Sequence, residues 1–425
     1  MKFRKTTLPN GLRVILAPMA ETDTVTVLVM TGVGSRFESR RENGIAHFLE
    51  HMMFKGTEKR PTMLDISREL DAIGADYNAF TGKEYTGYYA KVEAHHFDIV
   101  LDVVSDMFLN SKLDKEEIDR ERGTIIQEIN MYEDIPMRRV GELFESHLYG
   151  DVSLGWDIAG PKENIKAFRR ADFLRYMKRG YVADNVVVGI AGNIDTRAAM
   201  RAVRKAFAPI RTGEQPTFRK VKERQKYPGI FLQRKKTDQT HLVLGVRAFD
   251  RFHSDRYALS VLATILGGNM SSRLFIEVRE RRGLAYNVRT GTELYHDAGY
   301  LATQCGVEHE NLHGTIRVIL DEYRKITSEK VDTEELSRAK EYLKGKMAMG
   351  LEGSDDVAEY LVTQEILRDE IVSPKEKVRM INRVTSDDVL RVAQDIFRDD
   401  RLNLAVVGPH DRRKKTPLEK LVKLG

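Results

Sequence analysis

The 425-residue sequence predicts an α+β fold in which one domain design is used twice. Strands and helices alternate without the regular strand-helix-strand repeat that is typical of a doubly wound parallel sheet. The length fits two domains of ordinary size. Short segments of the first half also recur in the second half at a nearly constant offset. Together these observations favour two structurally repeated α+β domains.

The composition is that of a globular chain with a charged surface. Apolar residues make up 41% and charged residues 31% of the sequence, which allows a sizeable core and disfavours disordered and fibrous classes. The net charge of +5 is spread along the chain, and no nucleic-acid-binding motif is present. No apolar run approaches the ~20 residues that a membrane span requires. We therefore expect no nucleic-acid partner, no membrane association and no signal peptide.

The sequence contains one cysteine, Cys305. A single thiol can form neither an internal disulfide nor a metal site built from several thiolates, so it suits a reducing compartment. The predicted location is therefore the cytoplasm. Any bound metal has to use histidine and carboxylate ligands.

Three segments of the first half have clear secondary-structure patterns. Residues 24–30 form a β-branched apolar run that ends in a glycine-containing segment, which predicts a buried strand. Residues 95–110 place apolar side chains at helical spacing and predict an amphipathic helix. The acidic segment 114–117 resembles a capping box and predicts a long helix that continues to about Asp134.

A linker is predicted near the middle of the chain. Residues 209–229 contain three prolines, many charges and little apolar periodicity. The predicted division is a first domain over 1–210, a linker over 211–229 and a second domain over 230–425.

The repeat is carried by short matches on either side of this linker. Residues 185–195 align with 401–411 at an offset of 216, and residues 114–120 align with 332–338 at an offset of 218. One fold used twice explains both matches. The alternative is that two unrelated α+β domains share a local pattern by chance.

His47 and His51 project from one face of a predicted helix. Asn43 is a candidate N-cap for this helix, and Gly56 is a candidate terminator. The spacing of four residues brings both imidazoles within reach of one ion, with Glu50 beside them. This is the H-x-x-E-H order, which lets a carboxylate face the water of a two-histidine zinc site. The alternative is a pair of hydrogen-bonded core histidines on an apolar helix.

A catalytic zinc site needs a third protein ligand and an open position. The long helix predicted after Asp114 offers Glu121 and Glu128, which lie two turns apart on one face. Ile125 and Ile129 on the same face indicate that it is partly buried. Either glutamate taken alone could still be an ordinary surface charge.

Several motifs of the first half carry a family resemblance, and they occupy residues 8–14, 34–36, 44–52 and 54–57. They resemble the insulinase and pitrilysin family of zinc metallopeptidases, in particular its short bacterial members and the β subunit of the mitochondrial processing peptidase. In that family the third ligand lies 77 residues after the second histidine. The resemblance therefore implies Glu128 as the ligand and Glu121 as the glutamate that supports the site from two turns earlier.

The resemblance also implies where a peptide binds. It identifies the edge strand that pairs with bound peptide as Asn78, Ala79, Phe80 and Thr81. In the second half, residues 266–275 and 279–286 match a signature whose Arg and Tyr contact substrate, which implies Arg279 and Tyr286. Without the resemblance, Arg279 would be a surface charge and Tyr286 a half-buried sheet residue.

The second repeat lacks the metal-ligating residues. The positions equivalent to His47, Glu50, His51 and Glu128 are occupied by Ala263, Leu266, Gly267 and Lys346. One metal ion per chain, held by the first domain only, is therefore expected.

The expected function is that of a zinc-dependent endopeptidase with Glu50 as general base, acting on unfolded or short peptides inside a chamber closed by two half-shells.

Long members of the family carry four repeats and this chain carries two. The resemblance therefore implies a homodimer in which Arg279 and Tyr286 serve the zinc of the partner chain. The alternative is a catalytically silent scaffold or assembly subunit of the same fold. A different divalent ion also stays open, although two histidines and a glutamate most often bind zinc.

Overall fold

The computed structural model describes residues 1–411 and 415–425. Its strands are β1 Arg4–Thr7, β2 Arg13–Pro18, β3 Thr24–Thr31, β4 Asp76–Thr81, β5 Thr86–Glu93, β6 Val186–Gly192, β7 Gly229–Arg234, β8 Thr240–Ala248, β9 Ala285–Leu294, β10 Gly299–Val307 and β11 Leu402–Gly408. Its helices are α1 Ile45–Met52, α2 Met63–Asp71, α3 Phe97–Asn110, α4 Lys115–Asp134, α5 Pro136–Tyr149, α6 Lys162–Ala167, α7 Arg170–Gly180, α8 Thr196–Ala206, α9 Arg256–Gly267, α10 Leu312–Ser328, α11 Thr333–Met349, α12 Ser354–Arg368, α13 Pro374–Arg383, α14 Ser386–Ile396 and α15 Lys415–Leu421. The chain is therefore α+β, as the sequence predicts.

Three of the predicted elements are confirmed. The buried strand predicted over 24–30 is β3, and the amphipathic helix predicted over 95–110 is α3, preceded by a single 3₁₀ turn. The long helix predicted after Asp114 is α4. Residues 207–228 contain no helix or strand, as expected for the linker.

The residues form two compact units, and neither unit is continuous in sequence. The first contains Met1–Ile129, Trp156–Arg219 and Ala348–Ser373. The second contains Asn130–Gly155, Lys220–Met347 and Pro374–Gly425.

The first unit is built on a six-stranded sheet with the order β1-β2-β6-β3-β5-β4. The β2–β6 pair is parallel and all other neighbours are antiparallel. The large core of the unit contains fully buried side chains of α1 and α3, such as Phe48, Leu49 and Val100. Strand β4 is the last strand of this sheet, so one of its edges has no partner strand within the sheet.

The second face of this sheet is covered by α12, although α12 comes from the far end of the chain. Leu361 and Val362 of the helix are buried against Ile15, Leu28 and Val187 of the sheet. Burial of these apolar side chains stabilises the packing of α12 on the sheet.

Polar contacts fix the two ends of α12. The Glu365 carboxylate is fully buried and pairs with Arg13 and Lys5. At the other end, the Ser354 hydroxyl lies 2.8 Å from that of Thr26. Because buried charges need such partners, these contacts specify how the helix lies on the sheet.

The second unit repeats this design. Its sheet has the order β7-β11-β8-β10-β9, in which β7 and β11 are parallel and the other neighbours antiparallel, as in the series β2-β6-β3-β5-β4. Strands β6 and β11 keep the offset of 216 that the sequence shows, and α4 and α11 begin at the offset of 218. The predicted repeat is thus confirmed as one fold used twice.

One helix of each unit comes from the other half of the chain. Helix α5 packs on the sheet of the second unit, where Val140 and Phe144 contact Val243 and Ala405. The linear division at 211–229 assigns α5 to the first half and α12 to the second. Helical periodicity shows that a helix has an apolar face but not which sheet that face covers, so the exchange leaves no signal in the sequence.

No helix in the described part of the chain is both long enough and apolar enough to cross a bilayer.

Candidate metal centre

Helix α1 presents the H-x-x-E-H motif from a rigid position. Ile45, Phe48, Leu49 and Met52 are fully buried, which anchors one side of the helix in the core of the first unit. The other side carries the two histidines, whose ring centroids are 4.8 Å apart. The packing therefore fixes the direction in which both imidazoles project.

The start of α1 differs from the prediction, because Asn43 is not its N-cap. Gly44 occupies that position with a φ of +101°, and the Asn43 amide instead donates to Glu38 and to the carbonyl of Asp157. A Cβ atom at position 44 would lie 2.6 Å from the Ala159 carbonyl oxygen, so only glycine fits. The helix also ends at Met52, before the predicted terminator Gly56.

The three predicted ligands meet at one point. Glu128 Oε2 lies 3.5 Å from His47 Nε2 and 3.4 Å from His51 Nε2. Ligand atoms about 2.0–2.1 Å from a tetrahedral zinc ion are separated by roughly 3.4 Å. The two distances to Glu128 therefore fit a zinc ion, and the chemistry of two imidazoles and one carboxylate fits it too.

Within residues 1–411 and 415–425, no second group of three His, Cys, Asp or Glu side chains meets in this way. In the second unit, the residues equivalent to the motif lie in α9, where Ala263 and Leu266 are buried among apolar side chains. The group on α1 and α4 is therefore the candidate metal centre of the described chain.

Glu121 contacts one of the candidate ligands and lies outside the group of three that could hold a metal. It lies on the same face of α4 as Glu128, and the buried Ile125 and Ile129 share that face. Its Oε1 accepts a hydrogen bond of 2.9 Å from His51 Nδ1, which leaves Nε2 of that ring directed at Glu128. Such a contact to the second ring nitrogen fixes the orientation of a metal-ligating histidine.

The electrostatics of the group favour a positive charge between the ligands. Burial alone would lower the pKa of His51, but its hydrogen bonds with Glu121 and Glu128 outweigh burial and raise the pKa to about 9. Burial likewise opposes ionisation of Glu121, whereas His51 and Lys55 lower its pKa. A divalent cation would be stabilised by the same carboxylates that stabilise a protonated His51.

Glu50 stands outside the ligand group and contacts the edge strand. The Thr81 hydroxyl donates a hydrogen bond of 2.5 Å to Glu50 Oε2. Thr81 lies in β4 together with Asn78, Ala79 and Phe80, and this strand neighbours α1. The structure thus brings the predicted base and the predicted peptide-binding strand together.

Arg279 and Tyr286 lie in the second unit and contact each other. The Arg279 guanidinium lies 4.5 Å from the centre of the Tyr286 ring, and its Nη1 donates to the Tyr286 carbonyl oxygen. The Tyr286 side chain is 79% exposed, more than expected for an ordinary sheet residue. The pair is therefore ordered by its own contacts and presents a phenol to solvent.

Two residues of the centre were missed in the sequence. Lys55 forms a 2.5 Å ion pair with Glu121. It lies just after the end of α1, four residues after His51, and this short distance in sequence is the signal that could have identified it. Glu38 accepts hydrogen bonds from the backbone at the start of α1, a contact that no periodic pattern indicates.

Family models match most of the chain. A model described as insulinase, peptidase family M16, matches residues 13–162, and one described as peptidase M16 inactive domain matches residues 167–343. The first match contains all three residues of the metal group. The second covers much of the repeat that lacks them.

Related proteins match over nearly their full length. A protein of Streptomyces coelicolor named as an uncharacterised zinc protease is 37% identical over 412 residues, which are 96% of this chain and 89% of that protein. The zinc protease YmxG of Bacillus subtilis is 36% identical over 413 residues, which are 96% and 98% of the two chains. The crystal structure of a Helicobacter pylori protease shares the fold with a TM-score of 0.89 and 23% identity, over 96% of this chain and 100% of that chain. The chain therefore belongs to the insulinase family of peptidases, peptidase family M16.

Proposed function

We propose that the protein is a zinc-dependent endopeptidase that binds one zinc ion per chain. The observation that carries the proposal is that ligand atoms of His47, His51 and Glu128 lie within 4.8 Å of one another, with the Glu50 carboxylate outside this group. The names of the curated relatives support zinc as the metal.

The chain supplies a general base and its support. A zinc ion held by the three ligands would polarise the peptide carbonyl and make an attacking water more acidic. Glu50 accepts a proton from that water at its carboxylate and passes it to the leaving nitrogen. Thr81 orients the Glu50 carboxylate through its hydroxyl, and Glu121 holds His51 through Nδ1.

The substrates are unfolded or short peptides. The free edge of β4 offers backbone N–H and C=O groups to an extended chain, and strand addition of this kind tolerates many side chains. Cleavage takes place in the cytoplasm, inside a chamber closed by two half-shells. Equal rates on a tightly folded protein and on its denatured form would contradict this substrate class.

The active assembly is a homodimer in which Arg279 and Tyr286 act on the site of the partner chain. Tyr286 supports this role because its exposed phenol is available to a bound peptide. A mixture of Glu50→Gln and Tyr286→Phe subunits tests it. Activity should return after subunit exchange, because the mixed dimer contains one undamaged site. With exchange confirmed, a mixture that stays inactive contradicts action across the dimer.

The main experiment compares two variants at the metal centre. Glu50→Gln should keep about one zinc per chain and lose a factor of about 100 or more in kcat, because only the general base is removed. Glu128→Gln should lose the metal. The measurements are metal content by elemental analysis and hydrolysis of a quenched fluorescent peptide.

The same variants separate the proposal from its rival, a catalytically silent scaffold. Wild-type turnover in Glu50→Gln would refute the mechanism. Retention of metal in Glu128→Gln would move the third ligand, with Glu121 as the first alternative. A wild-type protein that binds zinc but cleaves no unfolded peptide would favour the scaffold.

A further inference from the structure

Glu38 lies before α1 and is almost completely buried, with 4% of its surface exposed. Its Oε2 accepts hydrogen bonds of 3.0 Å from the Asn43 side-chain amide and from the Gly44 N–H. Its Oε1 accepts one of 2.8 Å from the Ala46 N–H. One carboxyl group therefore binds the backbone at both sides of the first residue of the helix.

The contact with Glu38 replaces the capping side chain that the N-cap residue of α1 lacks. The first N–H groups of a helix have no partner within it and are normally capped by the side chain of the N-cap residue. Here the N-cap residue is Gly44, which has no side chain to act as a cap. Its φ of +101° and the close Ala159 carbonyl require glycine at this position. The cap must therefore come from elsewhere, and Glu38 supplies it from six residues earlier.

A buried carboxylate is unfavourable unless its contacts compensate for it. Burial raises the pKa of Glu38 to about 8, and the donors from Asn43, Ala46 and Gly44 act against that rise. Helix α1 has only eight residues, too few to be stable without tertiary contacts. Its first turn, from which His47 projects, therefore depends on how its end is held.

We propose that Glu38 is a positioning residue for the metal centre. By holding the amides of Gly44 and Ala46, it fixes the first turn of α1 so that His47 meets Glu128 at the spacing of a metal site. The inference rests on the proposed zinc peptidase function, but zinc affinity tests it without any need for turnover.

The test is Glu38→Gln, which keeps the shape of the side chain and turns one acceptor oxygen into an N–H₂ donor that faces other donors. The matched control is Glu42→Gln. The Glu42 carboxylate accepts from the Ser39 N–H and pairs with Arg179. The backbone carbonyl of Glu42 accepts from the Ile45 N–H, a contact that the substitution leaves in place. The measurements are the zinc dissociation constant by chelator competition, kcat and KM at saturating zinc, and hydrogen exchange of the Ala46 amide in the full-length protein.

The expected result is specific to Glu38. Its glutamine variant should bind zinc about 10-fold or more weakly. It should lose protection of the Ala46 amide and show a lower kcat at saturating zinc with little change in KM. The control should match wild type. A folded Glu38→Gln protein with wild-type zinc affinity and kcat would overturn the inference, even if its melting temperature fell, because Glu38 would then only stabilise the fold.

A second variant decides the outcome if Glu38→Gln does not fold. Glu38→Asp keeps the carboxyl group, but its shorter side chain cannot reach both Gly44 and Ala46. Weaker zinc binding in this variant supports the positioning role. Wild-type zinc affinity together with a deprotected Ala46 amide overturns it. A wild-type protein without peptidase activity would refute the proposed function and leave the comparison of zinc affinities intact.

Discussion

At the scale of single residues, the feature of most consequence is the hydrogen bond from Thr81 to Glu50. A hydrogen bond to a charged group typically contributes about 1.5–3 kcal/mol, and here it holds the carboxylate in one direction beside the metal ligands. Thr81 belongs to the strand on which a peptide is proposed to bind. The proposed general base is thus oriented by the same strand on which the peptide is proposed to bind.

Thr81→Val should lower kcat about 10-fold, because the isosteric side chain cannot donate to Glu50. Metal content should not change, since neither residue is a ligand. Peptide hydrolysis and elemental analysis check this, with Thr81→Ser as the control that keeps the hydroxyl. A serine variant that loses activity while the valine variant keeps it would show that packing of the methyl group, and not the hydrogen bond, is responsible.

The grouping of the two histidines could be predicted from the sequence because both lie on one helix with a fixed geometry. The interval of four residues between His47 and His51 places both on one face, and the family spacing identifies Glu128. The Thr81 contact could not be predicted in this way, since it depends on how closely β4 approaches α1. The cap of α1 also depends on a tertiary contact. The sequence predicts Asn43 as the cap, whereas the close approach of Ala159 requires glycine at the next position, which is the observed N-cap.

Among the helices and strands, two glycines differ in whether the structure has room for a side chain. Gly189 in β6 faces α12, and a Cβ atom there would lie 2.2 Å from Val362 Cγ2. Gly123 lies within α4 between Glu121 and Glu128, and a Cβ atom there would meet nothing within 4 Å. The first glycine permits the close packing of a helix on the sheet, whereas the second only weakens a helix.

Alanine at these two positions should therefore change stability in opposite directions. Gly189→Ala should lower the free energy of unfolding by about 1–3 kcal/mol, because α12 has to move away from the sheet. Gly123→Ala should raise it by up to about 1 kcal/mol through helix propensity and leave zinc binding unchanged. Urea unfolding monitored by circular dichroism measures both changes. A stabilising Gly189→Ala would mean that α12 lies farther from β6 than the structure places it.

At the scale of the whole molecule, the exchange of α5 and α12 determines which part of the chain can fold alone. The first unit requires residues 348–373, and the second requires residues 130–155. Without α12, the apolar face formed by Ile15, Leu28 and Val187 would be exposed to water. Short sequence matches at a nearly constant offset identify the repeat, but only the tertiary structure shows this exchange.

A fragment of residues 1–210 should therefore aggregate or bind a hydrophobic dye, and it should not hold zinc as the full chain does. The matched control is the full chain cut once at a protease site inserted near residue 219. Its two fragments should remain together in size-exclusion chromatography, because each supplies a helix to the unit of the other. A monodisperse, cooperatively folding 1–210 fragment with bound zinc would contradict this account.

The position of α12 near the C-terminal end of the chain also determines when the first unit can fold during translation. All three candidate metal ligands lie within the first 128 residues, but the helix that covers the sheet of their unit spans Ser354–Arg368. During translation the chain grows from its N-terminus and folds as complete domains emerge. The metal-bearing unit therefore cannot be completed until most of the polypeptide has left the ribosome. A nascent chain thus carries all three candidate ligands long before the unit that holds them is complete, and we expect it to have no peptidase activity during synthesis.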